Sequence, residues 1–280
     1  MRLATVELAS EPRTIVLDRD GRARDVTAAT GVVKADFDIA AFEELTEANL
    51  QNFPIVELDR ITRWLPPVTE PRRILCVGFN YHNHAVEMDK ELPSHPTFFV
   101  RFASSMVGHL EPIERCSVSD SLDWEGEIAV VIGRGGRHID RRDAADHVWG
   151  YTAFADNSVR EFQLHGTQAT AGKNFDRSGS FGPWLVTADE VDDPSAMEVH
   201  TYLGQQRVQA GVLADLVFDI PAVIEYVSTW TTLSPGDVIA TGTPAGIGYR
   251  QDPPRYLQAG DVLTIDIPGI TRLVNRVADV

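Results

Sequence analysis

Short apolar runs separated by turn residues make up most of the chain. Residues 128–132 are continuously apolar, which suits a buried β-strand and is too short for a helix. The runs at 73–78 and 151–155 predict two more strands. Two later strands, Val238–Ala240 and Val262–Ile267, are each predicted to follow a turn that ends in Gly-Asp.

Helical patterns are fewer and lie between these runs. Residues 39–49 form an acidic stretch of helical character. A helix is predicted at 140–149, with an aspartate at its N-cap and a glycine just past its end. Another is predicted at 219–230, where an aspartate cap is followed by a proline in the first turn. Strands and helices do not alternate regularly, which argues against a doubly wound parallel sheet and predicts a β-rich α+β fold.

The chain is predicted to contain two units. Strand-like runs at 3–8 and 14–17 and the acidic helical stretch fall within a small N-terminal domain at 1–70. A proline-bearing segment at 64–71 is typical of a linker. Residues 71–280 are predicted to form the catalytic domain.

Composition narrows the possible partners and compartments. The 280 residues carry a net charge of −16, which disfavours nucleic acid and membrane partners. Cys76 and Cys116 have no metal-binding or disulfide pattern, so both are interpreted as reduced thiols. The N-terminus lacks the apolar stretch of a signal peptide, and no run reaches the ~18 residues of a membrane span. We therefore expect a soluble, cytoplasmic protein.

Three acidic residues, Asp123, Glu125 and Glu127, alternate just before the 128–132 strand. Because side chains alternate across a strand, the three should share one face. Buried neighbouring carboxylates repel one another, and a divalent cation such as Mg²⁺ or Mn²⁺ removes the conflict. A solvated edge strand is the alternative interpretation of this pattern.

Asp156 follows the predicted strand at 151–155 and is interpreted as the start of a helix. Asp156, Arg160 and Gln163 then fall at i, i+4 and i+7 on one helical face. A carboxylate beside a guanidinium and an amide suits a metal ligand next to groups that bind a substrate carboxylate. The alternative is an N-cap with an ordinary surface ion pair.

Three more patterns offer chemistry. His84 and Glu87 meet at i, i+3 of a helical turn, which would orient the imidazole as a general base. Lys173 follows a glycine and is a candidate oxyanion partner. The loop at 241–248 lacks both common phosphate-binding patterns, so it is interpreted as a tight loop that presents Thr243 to a carboxylate.

The order of these motifs resembles the fumarylacetoacetate hydrolase family over residues 72–277, through acylpyruvate hydrolase-like and 2-hydroxymuconate isomerase-like members. The matching segments are 76–81, His84 with Glu87, Ser104 and Ser105 before Gly108, 123–127, 150–152, Asp156 with Arg160 and Gln163, 172–176, 182–184, 235–239 and 241–246.

This resemblance implies a mixed β-sandwich roll, a homodimer and a Mg²⁺ or Mn²⁺ site. The metal ligands would be Glu125, Glu127 and Asp156, and the dyad of His84 and Glu87 would lie on a lid. It also implies that the substrate is contacted by Arg160, Gln163, Lys173, Thr243 and Ser104. One departure is Arg101-Phe102, where many relatives have Lys-Pro, which is expected to change substrate contacts.

The function predicted from the sequence is hydrolytic cleavage of a C–C bond in a β-diketo acid such as an acylpyruvate, as in aromatic catabolism. His84, oriented by Glu87, would activate water, and the metal and Lys173 would stabilise an enolate of a small 2-oxo acid. The same site would also serve an oxaloacetate-type decarboxylase, or an isomerase or hydratase of 2-hydroxymuconate-like acids. A third interpretation is an inactive metal-binding protein.

Overall fold

Strands dominate the computed structural model, which describes all 280 residues. The strands are β1 Arg2–Leu8, β2 Glu11–Leu17, β3 Ala23–Asp25, β4 Ile55–Val56, β5 Arg63–Trp64, β6 Ile74–Gly78, β7 Thr97–Arg101, β8 Met106–Val107, β9 Ile113–Arg115, β10 Leu122–Asp123, β11 Gly126–Ile132, β12 Val148–Ala155, β13 Ser158–Val159, β14 Gly179–Thr187, β15 Glu198–Leu203, β16 Gln206–Val212, β17 Val238–Ala240, β18 Val262–Ile267 and β19 Thr271–Asp279. The α-helices are α1 Thr27–Thr30, α2 Ile39–Glu43, α3 Glu47–Leu50, α4 His82–Glu87, α5 Arg160–Gln163, α6 Thr170–Lys173 and α7 Ile220–Trp230.

Two large sheets form the body of the fold. A mixed twelve-stranded sheet runs in the order β4-β3-β2-β1-β14-β12-β11-β17-β6-β7, with β5 paired to β1 and β8 to β14. A five-stranded sheet has the order β16-β15-β18-β19-β9, and β10 pairs with β13 separately. This strand-rich α+β architecture confirms the predicted fold class.

The continuous apolar run of β11 is explained by burial on both of its faces. Ile128 and Val130 point into the larger core cluster, which also contains Val199 and Ile265 of the five-stranded sheet. Ala129, between them, points into the second cluster, beneath the N-terminal helices. A strand that is buried on both faces carries no alternating polar positions, which is the pattern seen at 128–132.

The N-terminal residues continue the main sheet. Strand β1 pairs with β2 on one side and, through Arg2 and Leu3, with β14 on the other. The sheet therefore extends across the predicted boundary at residue 70, and the division into two domains remains a prediction. The single helical stretch predicted at 39–49 is instead two short helices, because the Thr46 side chain caps α3 in a reciprocal pair with Asn49.

The two later helix predictions had different outcomes. Helix α7 is capped as predicted, with the Asp219 side chain accepting a hydrogen bond from Ala222 N. The prediction of an α-helix at 140–149 was wrong. Residues 141–147 form a 3₁₀ helix that Asp140 caps, and β12 begins at Val148. Pairing of β12 with β11 and β14 outweighs the local helical preference. None of the helices has the length and apolar composition needed to cross a membrane.

His109 is a partly buried histidine whose environment favours the neutral ring. Its Nδ1 accepts a hydrogen bond from Val274 N at 3.0 Å, and its ring lies edge-on to Trp64. Burial lowers the pKa of His109 to about 4. An unfolded chain takes up this proton near pH 6.5, so the stabilisation is complete above that pH and is lost as the pH falls towards 4.

We expect the unfolding free energy of the metal-free protein to fall by about 2 kcal/mol because of His109 when the pH is lowered from about 7.5 to about 4.5. This value allows for the partial solvent access of the ring. Urea unfolding of wild type and His109→Gln with a chelator present measures the difference. The exposed His95→Gln serves as the control. An equal acid-induced loss in wild type and His109→Gln would contradict this assignment.

Candidate active site

A cavity of about 410 Å³ opens between β6, β7 and the short helices α4, α5 and α6. It contains eight of the predicted site residues: His84, Glu125, Glu127, Asp156, Arg160, Gln163, Lys173 and Thr243. Glu87 lies behind His84, so the structure brings together nine of the ten predicted site residues at one place.

The pairing of β11 with β12 brings the three carboxylates together. Glu127 lies on β11, Glu125 just precedes that strand, and Asp156 just follows β12. Gly126 pairs with Ala155, and Asp156 N donates to Glu125 O at 2.8 Å. One carboxylate oxygen from each acid lies within 4.8 Å of the others, and all three side chains are buried.

The charges of this triad are only partly balanced by the protein. Burial and the neighbouring Asp156 raise the pKa of Glu127 well above its ordinary value, and burial also raises that of Asp156. Although burial alone would raise it, Lys173 and Arg160 lower the pKa of Glu125 to about 2. Three buried carboxylates that offer only oxygen donors fit a hard divalent cation.

Lys173 links two of the three acids. Its ammonium donates to Glu125 Oε2 and Asp156 Oδ2, both at 2.6 Å, and to the backbone oxygen of Asp156 at 2.7 Å. The ring of Phe99 lies 4.8 Å from the ammonium. Helix α6 can approach α5 because residue 172 is glycine: a Cβ there would lie 2.5 Å from atoms of Gln163.

Arg160 is buried and held by an acid that was not expected in this role. Its Nε donates to Asp123 Oδ2 at 2.8 Å, and its Nη1 lies 2.6 Å from Glu125 Oε1 and donates to Gln163 Oε1. Its Nη2 is buried without a well-directed acceptor, although Asp123 Oδ2 is 2.8 Å away. Arg160 also lines the cavity, and a guanidinium held in place in this way is suited to an incoming carboxylate.

Two local interpretations around Arg160 were wrong. Asp123 does not share a face with Glu125 and Glu127, because β10 ends there and its carboxylate accepts hydrogen bonds from Gly248 N and Tyr249 N. The i, i+4 helical spacing from Asp156 to Arg160 is also wrong. Strand β13 lies between them and α5 begins only at Arg160, so strand pairing places the guanidinium.

The dyad predicted at His84 and Glu87 is formed on α4. His84 Nδ1 lies 3.0 Å from Glu87 Oε2, and the second oxygen of Glu87 accepts from Gly246 N at 2.8 Å. Asn83 Oδ1 accepts from Ala245 N, so α4 is fastened to the loop at 241–248 through two side chains. The contact of Nδ1 with Glu87 fixes the orientation of the imidazole ring. Its other nitrogen, Nε2, is then available to a group in the cavity.

The remaining predictions divide between the cavity and the surface. Thr243 Oγ1 donates to Gly126 O at 3.0 Å and accepts from Gln209 Nε2 at 2.9 Å. Ser104, predicted to contact substrate, is exposed outside the cavity, and its backbone oxygen accepts from Arg177 N. The side chain of Arg101, which was expected to alter substrate contacts, lies outside the cavity, against Asp156.

Residues 73–278 match the model of one protein family, described as fumarylacetoacetate (FAA) hydrolase C-terminal. The chain belongs to the fumarylacetoacetate hydrolase family. The predicted family is therefore confirmed, and the chain is an enzyme of this family with a site that fits a divalent metal ion.

Two relatives with similar sequences are both named as oxaloacetate tautomerases. The mitochondrial oxaloacetate tautomerase fahd2 of Xenopus laevis is 41% identical over 215 residues, 76% of this chain and 67% of that protein. The oxaloacetate tautomerase YisK of Bacillus subtilis is 39% identical over 215 residues, 75% of this chain and 71% of that protein.

Solved structures share the whole fold. A fumarylacetoacetate hydrolase from Exiguobacterium antarcticum superposes with a TM-score of 0.84 at 34% identity, covering 100% of both chains. A maleylpyruvate hydrolase from Sphingobium sp. SYK-6, in complex with manganese (II) and pyruvate, has a TM-score of 0.82 at 29% identity, covering 100% of this chain and 99% of that one.

Proposed function

We propose that the enzyme is a divalent-metal-dependent tautomerase that interconverts the enol and keto forms of oxaloacetate or a close 2-oxo acid. The observation that supports this most is the activity named for its relatives at 41% and 39% identity. This proposal replaces C–C hydrolysis as the main interpretation and takes up the isomerase alternative.

In this proposal the cavity binds the 2-oxo acid end of the substrate. Arg160 lines the cavity and is the proposed partner of this carboxylate, with Gln163 and Thr243 also in the lining. Glu125, Glu127 and Asp156 would hold Mg²⁺ or Mn²⁺. When bound, the cation would supply Lewis acidity that favours loss of a proton from the substrate.

His84 is the proposed proton carrier. Fixed at Nδ1 by Glu87, its Nε2 takes the proton from the enol oxygen and returns it to carbon 3, which gives the keto acid with no net change in protons. In the reverse direction the same nitrogen takes a proton from carbon 3 and returns it to oxygen. Lys173 keeps positive charge beside Glu125 and Asp156, at the end of the cavity where the substrate would gain negative charge.

The second carboxylate of oxaloacetate requires another cation. Lys90 lines the cavity and is exposed, whereas the cations deeper in the cavity, Arg160 and Lys173, are already ion-paired. We therefore place the distal carboxylate near Lys90, on the segment that follows α4.

Lys90→Ala is expected to raise KM for oxaloacetate about fivefold to tenfold with little change in kcat, because an exposed ion pair contributes about 1 kcal/mol. A 2-oxo acid with an uncharged distal end should show no such change. Lys34→Ala, at an exposed lysine outside the cavity, is the matched control. An unchanged KM for oxaloacetate in Lys90→Ala would contradict this placement.

The activity is tested by following the ultraviolet absorbance of enol-oxaloacetate in the metal-loaded enzyme. Faster loss of the enol, without release of CO₂ or pyruvate, is the expected result. Release of CO₂ would identify the oxaloacetate decarboxylase instead, and no acceleration over buffer would overturn the proposal.

Hydrolysis remains the second candidate, because the Sphingobium maleylpyruvate hydrolase shares the whole fold. The oriented His84 could equally take a proton from water and direct it at a carbonyl. Assaying an acylpyruvate and maleylpyruvate beside oxaloacetate distinguishes the two, since only hydrolysis yields two acids. The homodimer likewise remains a prediction.

A further inference from the structure

Arg101 is a buried cation at the end of β7 that takes no part in the proposed proton transfer. Its side chain has no solvent exposure, and each of its nitrogens has a partner. Nε donates to Ser105 Oγ at 3.1 Å and Nη2 to Ser178 Oγ at 2.9 Å. Nη1 donates to Asp156 Oδ1 and to the backbone oxygen of Asn157, both at 2.9 Å.

Because of these contacts, the two carboxylate oxygens of Asp156 have different cation partners. Oδ1 is held by Arg101 from behind the cavity, and Oδ2 faces Lys173 within the carboxylate triad. Because Nη1 also binds the backbone of the next residue, the carboxylate and its own main chain are fixed to the same nitrogen. Rotation of the Asp156 carboxylate would break one of these bonds.

The residues packed around the Arg101 guanidinium leave space for it and supply its hydrogen-bond acceptors. A Cβ at position 179 would lie 2.7 Å from Arg101 Nη2 and 2.8 Å from the backbone oxygen of Ala155, so only glycine leaves the space. Ser105 and Ser178, which accept from the guanidinium, are both fully buried. A lysine has neither the fork nor the number of donors to satisfy these acceptors.

We infer that Arg101 is a positioning residue for the metal site, which fixes the Asp156 carboxylate so that one oxygen faces the cation. The charge of Arg101 and its positioning of Asp156 predict opposite effects on metal binding when Arg101 is replaced. If the positive charge of Arg101 mattered most, it would repel a divalent cation, and its removal would tighten metal binding. If position matters most, its removal weakens metal binding, as loss of groups that orient metal ligands usually does.

The test measures Mn²⁺ binding by isothermal titration and electron paramagnetic resonance, without substrate. We expect Arg101→Met to weaken binding about 10-fold to 100-fold. Arg101→Lys keeps the charge but has too few donors to make all four hydrogen bonds, so it should restore only part of the affinity. Ser178→Ala removes a single contact of the guanidinium and should weaken binding about twofold to fivefold. Unchanged or tighter Mn²⁺ binding in these variants would overturn the inference.

Arg24→Met is the matched control, because Arg24 forms another buried ion pair, at 2.9 Å with Asp18, away from the cavity. It should lower the unfolding temperature and leave Mn²⁺ affinity unchanged. If Arg101→Met does not fold, Arg101→Lys and Ser178→Ala decide the question. The inference needs the triad to bind the cation but not the proposed activity, so it can fail while the tautomerase assay succeeds, and the reverse.

Discussion

Replacing Glu127 with glutamine is expected to abolish divalent-cation binding and to lower the rate of enol–keto interconversion about a thousandfold or more. Glu125 and Asp156 each have a cation partner within the protein. Glu127 has no ion pair and accepts one hydrogen bond, from Gly242 N at 2.8 Å. It is therefore the carboxylate that depends most on a bound cation for neutralisation.

The metal-free Glu127→Gln protein should be at least as stable as wild type, because the change removes a buried acid that the protein does not pair. Wild type with Mn²⁺ at a hundredfold excess over Kd should gain about 2.7 kcal/mol, and the variant should gain nothing. Isothermal titration and thermal unfolding with and without Mn²⁺ measure both effects. Glu161→Gln, at an exposed acid on α5, should behave as wild type. Tight Mn²⁺ binding in Glu127→Gln would remove it from the ligand set.

Replacing His84 with glutamine should lower kcat about 10²-fold to 10⁴-fold while Mn²⁺ affinity changes less than threefold. The imidazole lines the cavity but is fastened to Glu87, outside the carboxylate triad. Glu87→Gln should cost less, about tenfold, because glutamine still accepts from Gly246 N and only the orientation of the ring is weakened.

Steady-state kinetics and Mn²⁺ titration on the same preparations test this assignment. His82→Gln is the matched control, since His82 is exposed on the same helix and does not line the cavity. Loss of metal binding in His84→Gln would point to a ligand role. Full activity in that variant would exclude His84 as the proton carrier.

The parts of the site that depend on neighbouring residues could be predicted from the sequence. Alternation along a strand placed Glu125 and Glu127 together, and helical spacing paired His84 with Glu87. Both relationships operate over two or three residues. Asp156 was placed by the resemblance and by its position at the end of a strand.

The supporting contacts could not be predicted in this way, because strand pairing brings together residues that are far apart in the chain. Arg101 reaches Asp156 across 55 positions, and Asp123 accepts from Gly248 N across 125. Gln209, whose side-chain amide links Gly126 and Thr243, lies on the other sheet. Nothing near these residues in the sequence shows which partner each will meet.

The ion pairs inside the site bear on how an active molecule is produced. Four buried carboxylates, including Asp123, face the buried cations Arg101, Arg160 and Lys173, so most of the charge is neutralised by the chain itself. In small zinc proteins the chain cannot fold until the metal arrives. Here we expect the chain to fold before it binds the metal, so a chelator should strip the ion from an intact protein that regains activity when Mg²⁺ or Mn²⁺ is returned. The supply of metal in the cell would then act as a reversible control on how many finished molecules work.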